Sequence, residues 1–181
     1  MSSTLMSRRA LASGIVAVPI GLSIAARAVG ASSDGLSHSA EVIHQEIIFS
    51  AGRKRVFAAL TDSAQFDAIT RLSDGVELVT APGAKPTSIN HAVGGEFTLF
   101  GGYITGRHLE LLPDERLVQA WRAASWNPGE YSIARFALVD HSAGTQLIFD
   151  HRGFPKGQGA HLADGWHVHY WKPLAKYLLR A

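Results

Sequence analysis

The second half of the chain alternates apolar and polar residues with a period of two, which is typical of half-buried β-strands. Short connections rich in glycine, proline and asparagine separate the alternating segments, as at residues 101–102 and 127–129. Connections this short join neighbouring antiparallel strands as hairpins. The pattern therefore predicts an antiparallel meander, with strands over residues 96–100, 103–111, 116–122, 131–139 and 145–151.

Ahead of this meander, the pattern predicts one strand followed by two short helices. Residues 41–49 alternate as a strand does, and Ser50 is a candidate N-cap for the helix that follows. Apolar residues then repeat twice at helical spacing, and the second helix can begin at residue 62 or 63. Helices this short must pack against another element to be stable. Residues 76–80 are predicted to form a further strand.

A long helix is predicted at the end of the chain, from residue 159 or 161 to residue 179. Pro173 lacks an N–H for the preceding turn, so we expect the helix to bend there. A curved antiparallel sheet wrapped around this helix would bury both apolar surfaces, which predicts an α+β helix-grip fold. The apolar residues fall within one arc at 3.6 residues per turn. They are Leu162, Trp166, Tyr170, Pro173 and Tyr177.

The beginning of the chain has the pattern of an export signal. Arg8 and Arg9 precede an apolar run over residues 11–26 that contains no acidic residue, and small residues ending at Ala31 form a cleavage site. The arginine pair indicates a twin-arginine signal, which exports folded proteins. The alternative is an uncleaved membrane anchor, but the run is shorter than the roughly 20 residues that a spanning helix needs.

Cleavage would divide the chain into residues 1–31 as signal peptide, residues 32–40 as a flexible lead-in and residues 41–181 as one domain. The signal predicts a periplasmic or extracellular protein that meets the membrane only transiently, during export. The whole chain has 17 basic and 15 acidic residues, a net charge of +2. Removing the three arginines of the signal leaves 14 against 15, so we expect no nucleic-acid partner. The absence of cysteine excludes disulfides, thiolate catalysis and cysteine-ligated zinc.

Several short segments together resemble a known protein family in their order and spacing. They are residues 56–62 (VFAALTD), 94–97 (GGEF), 106–111 (GRHLEL), 113–118 (PDERLV) with Trp121, and 165–174 (GWHVHYWKPL). The pattern resembles the SRPBCC superfamily, also called START-like or birch-pollen-allergen-like, and within it the homologues of the activator of the heat-shock protein 90 ATPase. The resemblance implies a cavity between helix and sheet, without implying one activity. Export would separate this chain from ATP and from a cytosolic chaperone.

Titratable residues do not assemble into a recognisable catalytic or metal site. His167 and His169 lie two apart on a helix, which points them about 200° apart, so they cannot share a metal ion. Glu96 and Glu110 suit the solvated face of the sheet, whereas Arg107 shares parity with Leu109 and could point inward. The sequence contains no nucleophile elbow and no phosphate-binding loop. We therefore assign no catalytic residue, no metal and no cofactor.

His151 lies on the apolar face of its strand, in parity with Leu147 and Phe149, whereas its neighbour Asp150 points to the other face. Two alternatives stay open for it: a hydrogen-bonding group in a pocket, or a core histidine whose partners are all internal. The residues that we expect to line a cavity combine the inner face of the sheet with the apolar arc of the helix. They are Phe97, Leu99, Trp121, Phe149, His151, Trp166 and Tyr170.

Three functions are compatible with this pattern. The leading hypothesis is a binding module that holds a hydrophobic or aromatic small molecule without covalent catalysis. The second is an enzyme of the cyclase or hydratase type, with His151 as general acid or base in the same cavity. The third is a co-chaperone-like module that binds another protein, which would require an exposed apolar patch of several hundred Å².

Overall fold

The computed structural model describes residues 41–73 and 76–180. The predicted signal peptide and lead-in, residues 1–31 and 32–40, lie outside the described residues. The elements follow the predicted order of one strand, short helices, an antiparallel meander and a final helix. The strands are β1 (Val42–Phe49), β2 (Ser88–Ile89), β3 (Glu96–Leu99), β4 (Ile104–Leu112), β5 (Arg116–Ala123), β6 (Ser132–His141) and β7 (Gly144–Arg152). The helices are α1 (Arg53–Thr61), α2 (Ser63–Thr70), α3 (Val76–Thr80), α4 (Gly159–Gly165) and α5 (Lys172–Leu178), with a π-helical segment, Trp166–Trp171, between the last two.

The seven strands form one curved antiparallel sheet in the order β1-β7-β6-β5-β4-β3-β2. Buried and partly exposed residues alternate along β5 and β7 without interruption, as a sheet with one covered face requires. The helices cover the inner face, and the C-terminal helix lies along it. This arrangement confirms the predicted α+β helix-grip fold. No helix in the described ranges is long and apolar enough to cross a membrane.

An aromatic cluster joins the C-terminal helix to the sheet. The ring of Trp166 lies 4.3 Å from that of Phe149, and Phe149 lies 5.0 Å from Phe136 on the neighbouring strand. All three side chains are buried, and burying a large apolar side chain stabilises a fold by about 1.5–3 kcal/mol. The inner-face residues of the strands therefore pack against the apolar residues of the helix, as the sequence predicts.

The short helices differ in how they begin. The predicted N-cap at Ser50 is wrong, because α1 begins after Gly52 and no side chain caps it. The second helix begins as predicted, with the Asp62 carboxylate accepting a hydrogen bond from the Gln65 backbone N–H at 2.9 Å. Phe66 on this helix packs edge-on against Tyr170 of the C-terminal helix, with ring centroids 5.7 Å apart. These contacts fix α2 against the end of the cavity described below.

The strand predicted over residues 76–80 is wrong. These residues form the short helix α3, and the Ala81 N–H bonds the Glu77 carbonyl at 2.9 Å. A strand requires a neighbouring edge, and the available edge of β3 is taken by Ser88 and Ile89 in β2. Residues 76–80 therefore satisfy their backbone locally.

A β-bulge in β4 corrects the predicted orientation of Arg107. The pairing register with β5 shifts between His108 and Glu110, which adds one residue to β4. Arg107 points outward and bonds the Glu96 carboxylate, Leu109 is also exposed, and His108 is buried. The prediction assumed that Leu109 shared the inner face, whereas the bulge gives that place to Leu111.

The C-terminal helix changes its hydrogen-bonding pattern before Pro173. Helical backbone angles continue through the junctions at Gly165 and Lys172, while the Lys172 N–H bonds the His167 carbonyl, five residues back. Pro173 has no N–H to donate, and its ring crowds the carbonyl four residues earlier. We predicted a bend at this position, and the structure has a wider π-helical turn there.

Candidate functional site

A cavity of about 270 Å³ lies between the C-terminal helix and the ends of β4 and β5. Leu162, Trp166 and Tyr170 line it together because residues four apart share one face of a helix. Strands β4 and β5 and the segments that follow β3 and β5 supply the facing wall. The complete lining is Phe100, Tyr103, Ile104, Trp121, Ala123, Ser125, Trp126, Gln158, His161, Leu162, Gly165, Trp166, His169 and Tyr170.

The inner part of the cavity is built from aromatic rings that fix one another. The rings of Trp166 and Tyr170 are 4.1 Å apart, and Tyr170 also lies 5.1 Å from Phe100. Across the cavity, Trp121 packs against Trp126 with centroids 5.3 Å apart. All five side chains are buried. Such a wall offers flat apolar surfaces that suit another ring.

Apart from the indole N–H groups, the polar side chains of the lining are those of Tyr103, Ser125, Gln158, His161, His169 and Tyr170. The Trp121 indole N–H donates to the Tyr170 hydroxyl at 3.4 Å, and burial raises the pKa of that hydroxyl, which keeps its proton. Trp126 Nε1 and His169 Nδ1 are buried and have no hydrogen-bond partner among the described residues. The lining contains no aspartate, glutamate, lysine or arginine.

His151 lies behind Trp166 in a closed chain of hydrogen bonds. The indole N–H of Trp166 can only donate, and it bonds His151 Nδ1 at 2.9 Å, so this nitrogen carries no proton. The proton of the neutral ring is therefore on Nε2, which donates to Ser132 Oγ at 2.6 Å. Ser132 donates in turn to the Trp121 carbonyl at 3.0 Å. Burial lowers the pKa of His151 to about 3, which keeps the ring neutral.

These hydrogen bonds decide between the two alternatives for His151. The side chain is fully buried, both ring nitrogens have internal partners, and the residue does not line the cavity. His151 is therefore a core histidine that holds Trp166, and through it the cavity wall, in one orientation.

The structure brings three of the seven predicted lining residues to the cavity. Trp121, Trp166 and Tyr170 line it. The other four lie elsewhere in the core, since the cavity occupies one end of the sheet and not its whole inner face. Those four residues are Phe97, Leu99, Phe149 and His151.

Other lining residues were not among the seven predicted: Leu162 lies on the predicted apolar arc, whereas Trp126 belongs to no periodic segment. Trp126 follows β5 in a turn, where its backbone N–H bonds the Ala123 carbonyl at 3.1 Å. His169 shares the helical face of Leu162 and Trp166, but only apolar residues of that face were counted in the predicted arc. Across residues 41–73 and 76–180, no group of three or more metal-ligating side chains lies close enough to hold a metal ion.

The family sequence profile described as "Activator of Hsp90 ATPase homolog 1-like protein" matches residues 50–179. The chain belongs to this family. The match extends from α1 to the end of α5 and includes every residue of the cavity wall.

Some curated relatives carry names from the same family. The human activator of 90 kDa heat shock protein ATPase homolog 1 is 28% identical over 96 residues, which cover 53% of this chain and 28% of the relative. An uncharacterised protein of Schizosaccharomyces pombe is 27% identical over 151 residues, which cover 81% of this chain and 41% of that protein. The chain thus spans less than half the length of either relative.

Solved structures share the fold of this family member. An HSP90 activator from Plasmodium falciparum superposes with a TM-score of 0.63 at 22% identity, covering 77% of this chain and 95% of that one. A protein from Mesorhizobium loti gives a TM-score of 0.60 at 20% identity, covering 78% and 98% of the two chains. At these identities the likeness establishes the fold alone.

Proposed function

We propose that this protein is a binding module that holds a hydrophobic or aromatic small molecule in the cavity beneath its C-terminal helix. The observation that carries the proposal is the cavity itself, with a wall of buried aromatic rings and no acidic side chain, lysine or arginine. Small-molecule sites are concave and mostly apolar, with a few polar groups that fix orientation. A binder needs no more than this arrangement.

The geometry around His151 argues against an enzyme that uses this residue. A general base must take a proton from its substrate, and the lone pair of His151 Nδ1 that would take it already accepts a hydrogen bond from the Trp166 indole N–H. Ser132 is close to the ring, but the ring donates its hydrogen bond to the serine hydroxyl. Activation of a serine nucleophile requires the opposite direction, in which the hydroxyl donates to the ring. The pair therefore supports a structural role.

A protein-binding role is the second candidate, favoured by the names of the curated relatives. Exposed apolar residues on the outer face of the sheet include Val42 and Ile133, which flank Arg152 of β7, and Ile48 and Val139, which flank Gln146 of the same strand. The registers place these pairs at different levels of the strands, six residues apart. Between them lies an ionic cluster in which Asp150 bonds His44 at 2.8 Å and Arg135 at 3.2 Å. The two pairs do not form one patch of the size expected for a stable docking surface.

Fluorescence titration tests the binding proposal. Three of the four tryptophans line the cavity, so a neutral naphthalene-based fluorophore should quench the emission of the folded protein saturably. Trp166→Ala removes most of one wall and should weaken binding at least tenfold. Trp171→Phe is the matched control, because Trp171 belongs to the same helical segment but does not line the cavity. Circular dichroism establishes that each variant is folded, and the absence of saturable quenching by wild-type protein would refute the proposal.

We also propose that the protein acts outside the cytoplasm, a proposal supported by Arg8, Arg9 and the small residues that end at Ala31. Mass spectrometry of protein recovered from outside the inner membrane should give a mature chain that begins at Ser32. Replacing both arginines by lysine should leave the precursor in the cytosol. Recovery of exported protein with Met1 intact would contradict cleavage.

A further inference from the structure

The cavity wall contains hydrogen-bond donors without an acceptor. Trp126 is 5% exposed, lines the cavity, and its Nε1 has no partner among the described residues. An indole nitrogen can only donate. The Tyr170 hydroxyl accepts a bond from Trp121, and its own proton donates to no described group. Buried polar groups are nearly always hydrogen-bonded, so unpaired donors beside a cavity indicate an acceptor that a ligand supplies.

Trp121 brings these donors to the same part of the wall. Its ring packs against Trp126 at 5.3 Å, and its N–H bonds the Tyr170 hydroxyl at 3.4 Å. The surrounding surface is aromatic and aliphatic. His169 Nδ1 is also unpaired in this wall, but an imidazole nitrogen can be a donor or an acceptor, so it imposes no fixed requirement. The indole and the hydroxyl, which both donate, call for one acceptor atom on an otherwise apolar molecule.

The volume and charge of the cavity limit the ligand further. A cavity of about 150 Å³ holds benzene, so 270 Å³ corresponds to roughly eleven non-hydrogen atoms. This is the size of two fused six-membered rings with one substituent. Apart from its two histidines, the lining contains no basic side chain to pair with a carboxylate, and a buried unpaired charge is strongly unfavourable.

We propose that the ligand is a neutral two-ring aromatic molecule with a carbonyl oxygen, an inference that rests on the proposed function. This oxygen accepts the hydrogen bond that Trp126 Nε1 donates. The rings stack among Trp121, Trp166 and Tyr170, which select for shape. The carbonyl satisfies the buried indole N–H, which selects for one orientation.

Three probes of similar size test this inference: tetralin, which has no polar atom, 1-tetralone, which adds the carbonyl, and 1-naphthoate, which carries a negative charge. Calorimetric titration of the folded protein gives the dissociation constant of each. Trp126→Phe keeps an aromatic ring but removes the N–H. We expect this variant to raise the dissociation constant of 1-tetralone roughly tenfold, which corresponds to the loss of one neutral hydrogen bond. The dissociation constant of tetralin should change less than twofold. Trp171→Phe, which removes an indole N–H bonded to Gln45 outside the cavity, should leave both unchanged.

A second measurement uses wild-type protein and so does not depend on the folding of a variant. The indole ¹H–¹⁵N resonance of Trp126 should move downfield when 1-tetralone saturates the site, and should move much less with tetralin. The resonance of Trp171 serves as the reference, because its N–H already has a partner.

The outcomes separate the inference from the proposed function. If none of the three probes binds wild-type protein, the proposed function itself fails. If tetralin binds but the Trp126 resonance and the Trp126→Phe variant show no response specific to 1-tetralone, binding stands and the carbonyl inference is overturned. Tighter binding of 1-naphthoate than of 1-tetralone would overturn the requirement for a neutral ligand.

Discussion

Two fully buried histidines of the sheet differ in their hydrogen bonding. His151 has a partner on each ring nitrogen, whereas neither nitrogen of His108 has a partner among the described residues. The His108 ring lies 5.4 Å from the ring of Phe97. Burial, and then the nearby charge of His91, lowers the pKa of His108 to about 4. The alternation along β7 predicted that His151 lies on the inner face. Its hydrogen-bond partners belong to two other elements, and the sequence gives no indication of them.

Both histidines should make the fold less stable in mild acid. Their pKa values are about 3 for His151 and about 4 for His108 in the folded protein, against 6.5 for an ordinary histidine. The unfolded chain therefore binds more protons below pH 6.5, so stability is highest above that pH and falls as the pH drops towards 4. Because unfolding near pH 5 takes up two protons, one on each histidine, the free energy of unfolding changes by about 2.7 kcal/mol per pH unit. His44 acts in the opposite direction, since bonds to Asp150 and Glu46 raise its pKa, but it is exposed and solvent weakens its effect.

Urea unfolding between pH 7 and pH 4.5 measures this slope. His108→Leu removes one of the two protons and should roughly halve the slope, to about 1.4 kcal/mol per pH unit. Phe97→Leu is the control, because it removes packing beside His108 and should lower stability equally at every pH. A slope that His108→Leu leaves unchanged would contradict the assignment.

At the scale of elements, most of the architecture could be predicted because hydrophobic period and turn residues agree along the meander. The predictions that were wrong concern segments whose structure depends on which strands pair, and a single sequence carries no information on strand pairing. Residues 76–80 alternate like a strand but form a short helix, and the edge of β3 is paired with β2 instead. The bulge after His108 changes which residues of β4 face inward, and one added residue reverses a period-two pattern.

The π-helical segment has a similar consequence for the C-terminal helix. At 3.6 residues per turn, Trp166 and Trp171 would lie on different faces. Because π-helical hydrogen bonds join residues five apart, the two indoles share one face and stack, with centroids 5.6 Å and planes 18° apart. Both tryptophans are buried as a result. His169, which lies seven residues after Leu162 and three after Trp166, shares the helical face of these residues and also lines the cavity.

At the scale of the whole molecule, the fold positions one cavity at the end of the sheet where β4 and β5 meet the helix. The helical arc and the parity of β5 were sufficient to predict Trp121, Trp166 and Tyr170. Trp126 could not be predicted, because a residue in a turn belongs to no period and reaches the cavity only through tertiary packing. The residue that supplies the unpaired N–H is thus one that sequence analysis missed.

Backbone NMR with titrated tetralin tests the central claim most directly, because it locates binding without altering the protein. Saturable amide shifts should cluster in the cavity wall, at residues 103–104, 123–126 and 162–170. The outer face around Ile48 and Val139 should not respond. Shifts confined to that outer face, or no saturable shift at all, would contradict the account of this protein as a small-molecule binding module.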